Sequence, residues 1–178
     1  MKLCALLVSA LLVAPVLAGC GGKKNQQSAA TSWADGLCQA FDNWQSSVKS
    51  ATSKLSSEKV SKSSLQTAAG SISDANKNLA DDLDSLDKPP TPQAKQIQAA
   101  LKELSASLRD SADKIKSAAS TVSSTTDVAT AVSTIGSTLT SMGSDLSAAS
   151  SKLQDIGNQD TWKKAFSQSQ ECQKLAKG

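Results

Sequence analysis

The stretch 128–156, VATAVSTIGSTLTSMGSDLSAASSKLQDI, sets Val128, Val132, Ile135, Leu139, Met142, Leu146, Ala149, Leu153 and Ile156 at alternating steps of 4 and 3 residues. That spacing lays one apolar row along a helix. It is the pattern of left-handed bundle packing, in which neighbouring helices cross near 20°. Such a row needs partners, and the chain supplies three upstream. Ile97, Leu101, Leu104, Leu108, Ser111, Ile115, Ala118 and Val122 form one; Leu65, Ala68, Ile72, Ala75, Leu79, Leu83 and Leu86 another; Trp33, Leu37, Phe41, Trp44, Val48, Ala51 and Leu55 the third. The four rows predict an all-α fold, an antiparallel up-down four-helix bundle with a short fifth C-terminal helix.

Punctuation between the rows fits this order. Lys88-Pro89-Pro90-Thr91-Pro92 is the clearest break, with Thr91 expected to cap the next helix and Pro92 to open it. Ser123 to Thr126 reads as a turn, and Thr126 or Asp127 as the following cap. Gly157-Asn158 closes the long row. Asp160 then caps a short helix carrying Trp162, Phe166, Ser169, Cys172 and Ala176. Residues 56–64 hold neither Gly nor Pro, yet a turn at Ser56-Ser57 is expected, because one continuous helix would put Glu58 and Lys62 in the apolar seam. Gly136 and Gly143 lie seven apart and share a helix face. They read as a local weak spot, or else as a close helix contact or ligand notch.

Composition removes several function classes. The 178 residues include 31 Ser, 12 Thr and 26 Ala, only three Trp and two Phe, and no His or Tyr. Without histidine there is no Ser-His-Asp or Cys-His nucleophile pair and no His-ligated metal. No Gly-rich phosphate loop, nucleophile elbow or dinucleotide fingerprint is present. The expectation is a protein that is not an enzyme, with no catalytic residues, no cofactor and no metal. Asp74, Asp81, Asp82, Asp84 and Asp87 make one helix acidic, but no Gly-bearing calcium loop accompanies them, so they read as a solvated face. A formal charge of +3 is too small for a nucleic-acid footprint. Large apolar residues are few, which favours disorder; low net charge and their regular placement oppose it.

The N-terminus reads as an address. Met1-Lys2 is followed by an apolar run from Leu3 to Val16, too short to span a bilayer, which takes about 20 residues. Leu17-Ala18-Gly19-Cys20 at this place resembles the bacterial lipobox. The resemblance implies cleavage before Cys20 and lipidation of its sulfur. Residues 1–19 are then a lipoprotein signal peptide, 20–31 the lipidated cysteine and a flexible tether, and 32–178 the bundle domain. Two or three acyl chains on Cys20 would anchor the protein stably. Lys23 and Lys24 are placed to meet anionic headgroups or simply to solubilise the tether.

Cys38 and Cys172 remain. An even remainder in a secreted chain suggests one disulfide, and up-down topology returns the C-terminal helix to the start of the first. Free thiols and metal ligands are the alternatives, and two cysteines without histidine make a poor metal site. All five aromatics, Trp33, Phe41, Trp44, Trp162 and Phe166, fall on the first and last helices. They predict an aromatic cluster beside the disulfide, at the end nearest the membrane. Core packing that locks the last helix down is the plainer reading of this cluster, and an apolar ligand pocket the sharper one. Lys163-Lys164 beside Trp162 reads as an exposed helix face or a lipid-headgroup contact.

The lipobox, Trp33-Ala34-Asp35-Gly36-Leu37-Cys38-Gln39-Ala40-Phe41 with Trp44, the Ser/Ala-rich helical middle and Trp162-Lys163-Lys164-Ala165-Phe166 leading to Cys172 together resemble an uncharacterised family of small helical lipoproteins of high-GC Gram-positive bacteria. The resemblance implies the architecture and adds no site. The expected function is a membrane-anchored extracytoplasmic lipoprotein, a non-enzymatic binding or interaction module of the cell envelope. Its partners would be membrane lipid through acylated Cys20 and an envelope protein or small ligand, with no nucleic acid. A structural spacer or stalk without a specific ligand is the alternative.

Overall fold

The computed structural model describes residues 22–56, 60–156 and 160–176. Their elements are α1 (Gly22–Ser56), α2 (Lys62–Ser85), α3 (Ala94–Ser120), α4 (Thr125–Ile156), α5 (Asp160–Gln168) and α6 (Gln170–Leu175). The fold is all-α, with the first four helices in sequential antiparallel contact and the C-terminal pair laid on α1. Cross-contacts fix the direction of each pair. Trp33 Nε1 donates to the Asp87 carbonyl at 2.9 Å, and Gln66 Nε2 to that of Ala119 at 3.3 Å. Lys152 pairs with Glu103 at 2.6 Å.

The rows become the core. Leu65, Ile72, Leu79 and Leu83 of α2 interleave with Ile97, Leu101, Leu104, Leu108 and Ile115 of α3, all buried. Small residues let these two backbones approach: Ser105 Oγ donates to the Ala80 carbonyl at 3.3 Å across the interface. Two helix starts at one end of the bundle use local capping. Ser61 and Ser64 form a reciprocal capping box at the start of α2. At α4, the Asp127 carboxylate accepts from Ser123 Oγ and from the amides of Ser123 and Ser124, while Ser124 Oγ accepts from the Asp127 amide. Ser124 is therefore the cap and Asp127 its third-residue partner, two places before Thr126 and three before Asp127, the expected caps.

Three other boundaries differ from expectation. The segment read as a tether is helical from Gly22, because it docks on α5: Ala30 is fully buried and Gln27 Nε2 reaches Gln168 Oε1 at 3.3 Å. Helix α3 starts at Ala94, after a turn in which Thr91 Oγ1 accepts from the Gln93 amide and the Thr91 carbonyl from that of Ala94. Helices α1 and α2 are separate, as the charged seam required, although Ser57 lies outside the described residues. Gly157-Asn158 and Cys20 also lie outside them. The expected single last helix breaks at Ser169, whose extended backbone (ψ 124°) lets its hydroxyl accept from the Cys172 amide and donate to Asp35 Oδ1 at 2.6 Å.

Helix α4 is the least covered. Its Ile135, Met142 and Ala149 are buried, but Leu139, Leu146 and Leu153 are half-buried and Val132 is 39% exposed. Met142 meets Asn76 of α2, and Leu146 and Leu153 border the same cleft as Leu37 and Phe41 of α1. Among the described residues no Cα of α4 comes within 8 Å of a Cα of α1 or α5. The bundle is thus open along one seam, where bulky Phe41 stands on α1 in place of the small residues that draw α2 and α3 together.

Candidate functional site

The open seam meets the C-terminal pair at one end of the molecule. Trp162 of α5 is buried between Trp33, edge to face with ring centroids 5.2 Å apart, and Phe166, at 5.9 Å. Ala165 packs on Ala30 and Ala34 with no exposed surface, so α5 lies close along the start of α1. The Ser169 bend turns the chain, and Asp35 holds the bend through its bonds to the Ser169 hydroxyl and, at 3.4 Å, the Glu171 amide. One helical turn into α6, Cys172 closes a disulfide with Cys38, with Cα atoms 4.9 Å apart across 134 residues of sequence. Loop closure on that scale stabilises by about 5 kcal/mol in the chain-entropy description.

This docked pair makes one wall of a cleft of about 810 Å³. Leu37 and Phe41 of α1 line its inner side, Leu146 and Leu153 of α4 the opposite wall, and Phe166 and Leu175 the C-terminal side. All except Leu37 are half-exposed. Two charged side chains stand at the rim, Asp155 on α4 and Lys163 on α5. The volume falls in the range of roughly 300–1,000 Å³ typical of small-molecule clefts, and an apolar lining with few polar groups is their usual character.

The remaining depressions are of another kind. A groove of about 460 Å³ between α3 and α4 is bordered by Glu103, Asp110, Lys114 and Asp145, with the Ser107 hydroxyl donating to Asp145. Charges of both signs share it, as on a solvated helix surface. On the acidic helix, Asp81 and Asp84 both receive Arg109 Nη2, at 2.7 and 2.8 Å, and the pairing holds the guanidinium pKa above its ordinary value. Among the described residues no group of three acidic, Cys or His side chains is placed to hold a metal ion. No described helix is long and apolar enough to cross a membrane.

Of the residues singled out from sequence, Cys38 and Cys172 come together, and Trp33, Trp162 and Phe166 cluster beside them. Phe41 lines the cleft, and Trp44 sits further along α1, bonded to Asn76 of α2. Gly136 and Gly143 face open space: a Cβ at either would meet nothing within 4 Å, which rules out a close helix contact at either. Leu175 and Asp155 escaped the sequence reading, and Leu146 and Leu153 entered it only as members of the apolar row. The row on α4 was visible, but its spacing does not reveal which half of it goes uncovered.

No protein-family model, no curated protein and no solved structure matches this chain.

Proposed function

We propose that the protein is a lipid-anchored, extracytoplasmic, non-enzymatic binding module of the cell envelope, held by acylated Cys20 and binding through the cleft between α1 and α4. The observation that carries this reading is the cleft itself: about 810 Å³ and lined by partly buried Leu and Phe side chains, whereas the groove between α3 and α4 is bordered by charged and hydroxyl groups. A pure spacer needs no such opening, and leaving large apolar side chains partly in water costs stability. The helix that begins at Gly22 supports the same reading, because it runs unbroken to Leu37 and Phe41 in the cleft lining. From Gly22 to Leu37 the axial distance is about 22 Å at 1.5 Å per residue.

Two experiments test the two halves of the proposal. Cys20→Ala is expected to release the protein into the medium; retention in the membrane fraction refutes the anchor. A photo-crosslinking residue at Leu146 is expected to give a defined adduct in the native envelope that Leu153→Glu abolishes. The same residue at exposed Thr134 should give none. Identical labelling at both positions leaves the spacer as the correct description.

A further inference from the structure

We propose that the cleft holds the hydrocarbon tail of a long-chain fatty acid, with the carboxylate at Lys163. The inference rests on the binding-module reading and specifies its ligand. Three observations lead to it. Phe41, Leu146, Leu153, Phe166 and Leu175 give the cleft a mainly hydrocarbon lining, with Ser150, Asp155 and Lys163 as its polar side chains, which suits an apolar tail with one polar end. The cleft is also blind. One turn beyond Phe41, Trp44 reaches across the core to Asn76, and Asn76 to Met142 of α4, so the seam closes there. A slot stopped at one end accepts a flexible chain, whereas a docked amphipathic helix needs an apolar groove running on over successive turns.

Charge supplies the third observation. Lys163 stands at the rim, and among the described residues no carboxylate lies within 4.0 Å of its ammonium; the neighbouring ion pairs, Lys152–Glu103 and Lys174–Glu171, are already complete. An apolar slot with one uncommitted cation at its mouth complements an anionic head on an apolar tail. Asp155 sits on the opposite rim and works against such a head. The two rim charges therefore make opposite predictions, which packing alone does not.

The test uses the mature chain with Cys20→Ala, which carries no acyl group of its own, and 9,10-dibromostearate, whose bromines quench nearby tryptophan emission. Saturable quenching at one ligand per chain is expected. Leu153→Glu should weaken it about tenfold or more, by putting a charge in the tail's path. Lys163→Glu should weaken dibromostearate binding by about threefold, and Asp155→Asn should tighten it by about twofold, the scale of exposed charge pairs. Neither rim variant should change the binding of the corresponding dibromo alcohol. Helical circular dichroism checks that each variant is folded. Absence of saturable quenching overturns the inference, as does quenching indifferent to Leu153→Glu, equal rim effects on acid and alcohol, or a cleft blocked by self-association that Leu153→Glu relieves. If the fatty acid does not bind while the Leu146 adduct in the envelope persists, the ligand assignment fails and the binding module stands. If both fail, so does the module.

Discussion

Trp44 Nε1 donates to Asn76 Oδ1 at 2.8 Å, and Asn76, fully buried, spends its own amide on Met142 Sδ at 3.3 Å. One polar side chain thus ties α1, α2 and α4 at a single level of the bundle. Asn76 is buried with a partner on each side, and the arrangement fixes register because sliding any of the three helices by one turn leaves the amide unpaired. Trp44→Phe is expected to cost about 1–3 kcal/mol, the penalty for an orphaned buried acceptor. Asn76→Leu added to Trp44→Phe should cost less than the sum of the two single changes. Denaturant unfolding of the four proteins in that cycle measures the coupling; additive losses would show that the bond carries no register.

The disulfide is expected to hold the C-terminal pair in place. Cys38→Ala together with Cys172→Ala should lower stability by about 4–5 kcal/mol. Because the α5 and α6 backbones pack along α1, the loss should appear first as faster amide exchange over residues 160–176. Intact-mass measurement of the wild type after alkylation without reductant should find neither cysteine modified.

Gly136 and Gly143 occupy the interior of α4 with free space where a side chain would go. Gly136→Ala and Gly143→Ala are each expected to raise stability by about 1 kcal/mol and to add without coupling. A shift of the unfolding midpoint in thermal or denaturant scans reads this directly. A loss at either position would reveal a contact that the fold does not contain.

Asp127 gives a pH dependence of known sign. Hydrogen bonds from the Ser123 hydroxyl, then from the amides of Ser123 and Ser124, hold its carboxyl well below the ordinary value of 3.8. A depressed carboxyl stabilises the fold above its unfolded pKa, and that contribution fades as pH drops toward the folded value. Asp127→Asn is therefore expected to destabilise the protein at neutral pH, with the gap to wild type narrowing below about pH 4. Unfolding curves at stepped pH measure the gap; a pH-independent difference would place the effect in packing.

The fold was legible because its signal is periodic. Rows at steps of 3 and 4 on α2 and α3 went into the core almost residue for residue, and the Pro-rich break at residues 89–92 separated them. Local chemistry was less legible. Capping fell to Ser124 instead of Thr126 or Asp127, because a Ser followed by Asp three places on closes a reciprocal pair. The C-terminal helix broke at Ser169, because Asp35, 134 residues away, rewards an extended backbone there. The site was half legible. Cysteine count and helix order paired Cys38 with Cys172, and the aromatics marked the right end of the bundle. The cleft was hidden, because α4 carries a complete apolar row and only the position of α1 decides that Leu146 and Leu153 go uncovered.

The Cys38–Cys172 bond also redirects mechanical load. Tension applied between Gly22 and Ala176 runs along the first turns of α1, crosses from sulfur to sulfur and leaves through α6. Residues 39–171 sit outside that path. A tug on the tail of the molecule, with its head held fast, therefore strains a covalent shortcut and leaves the helices between unstretched.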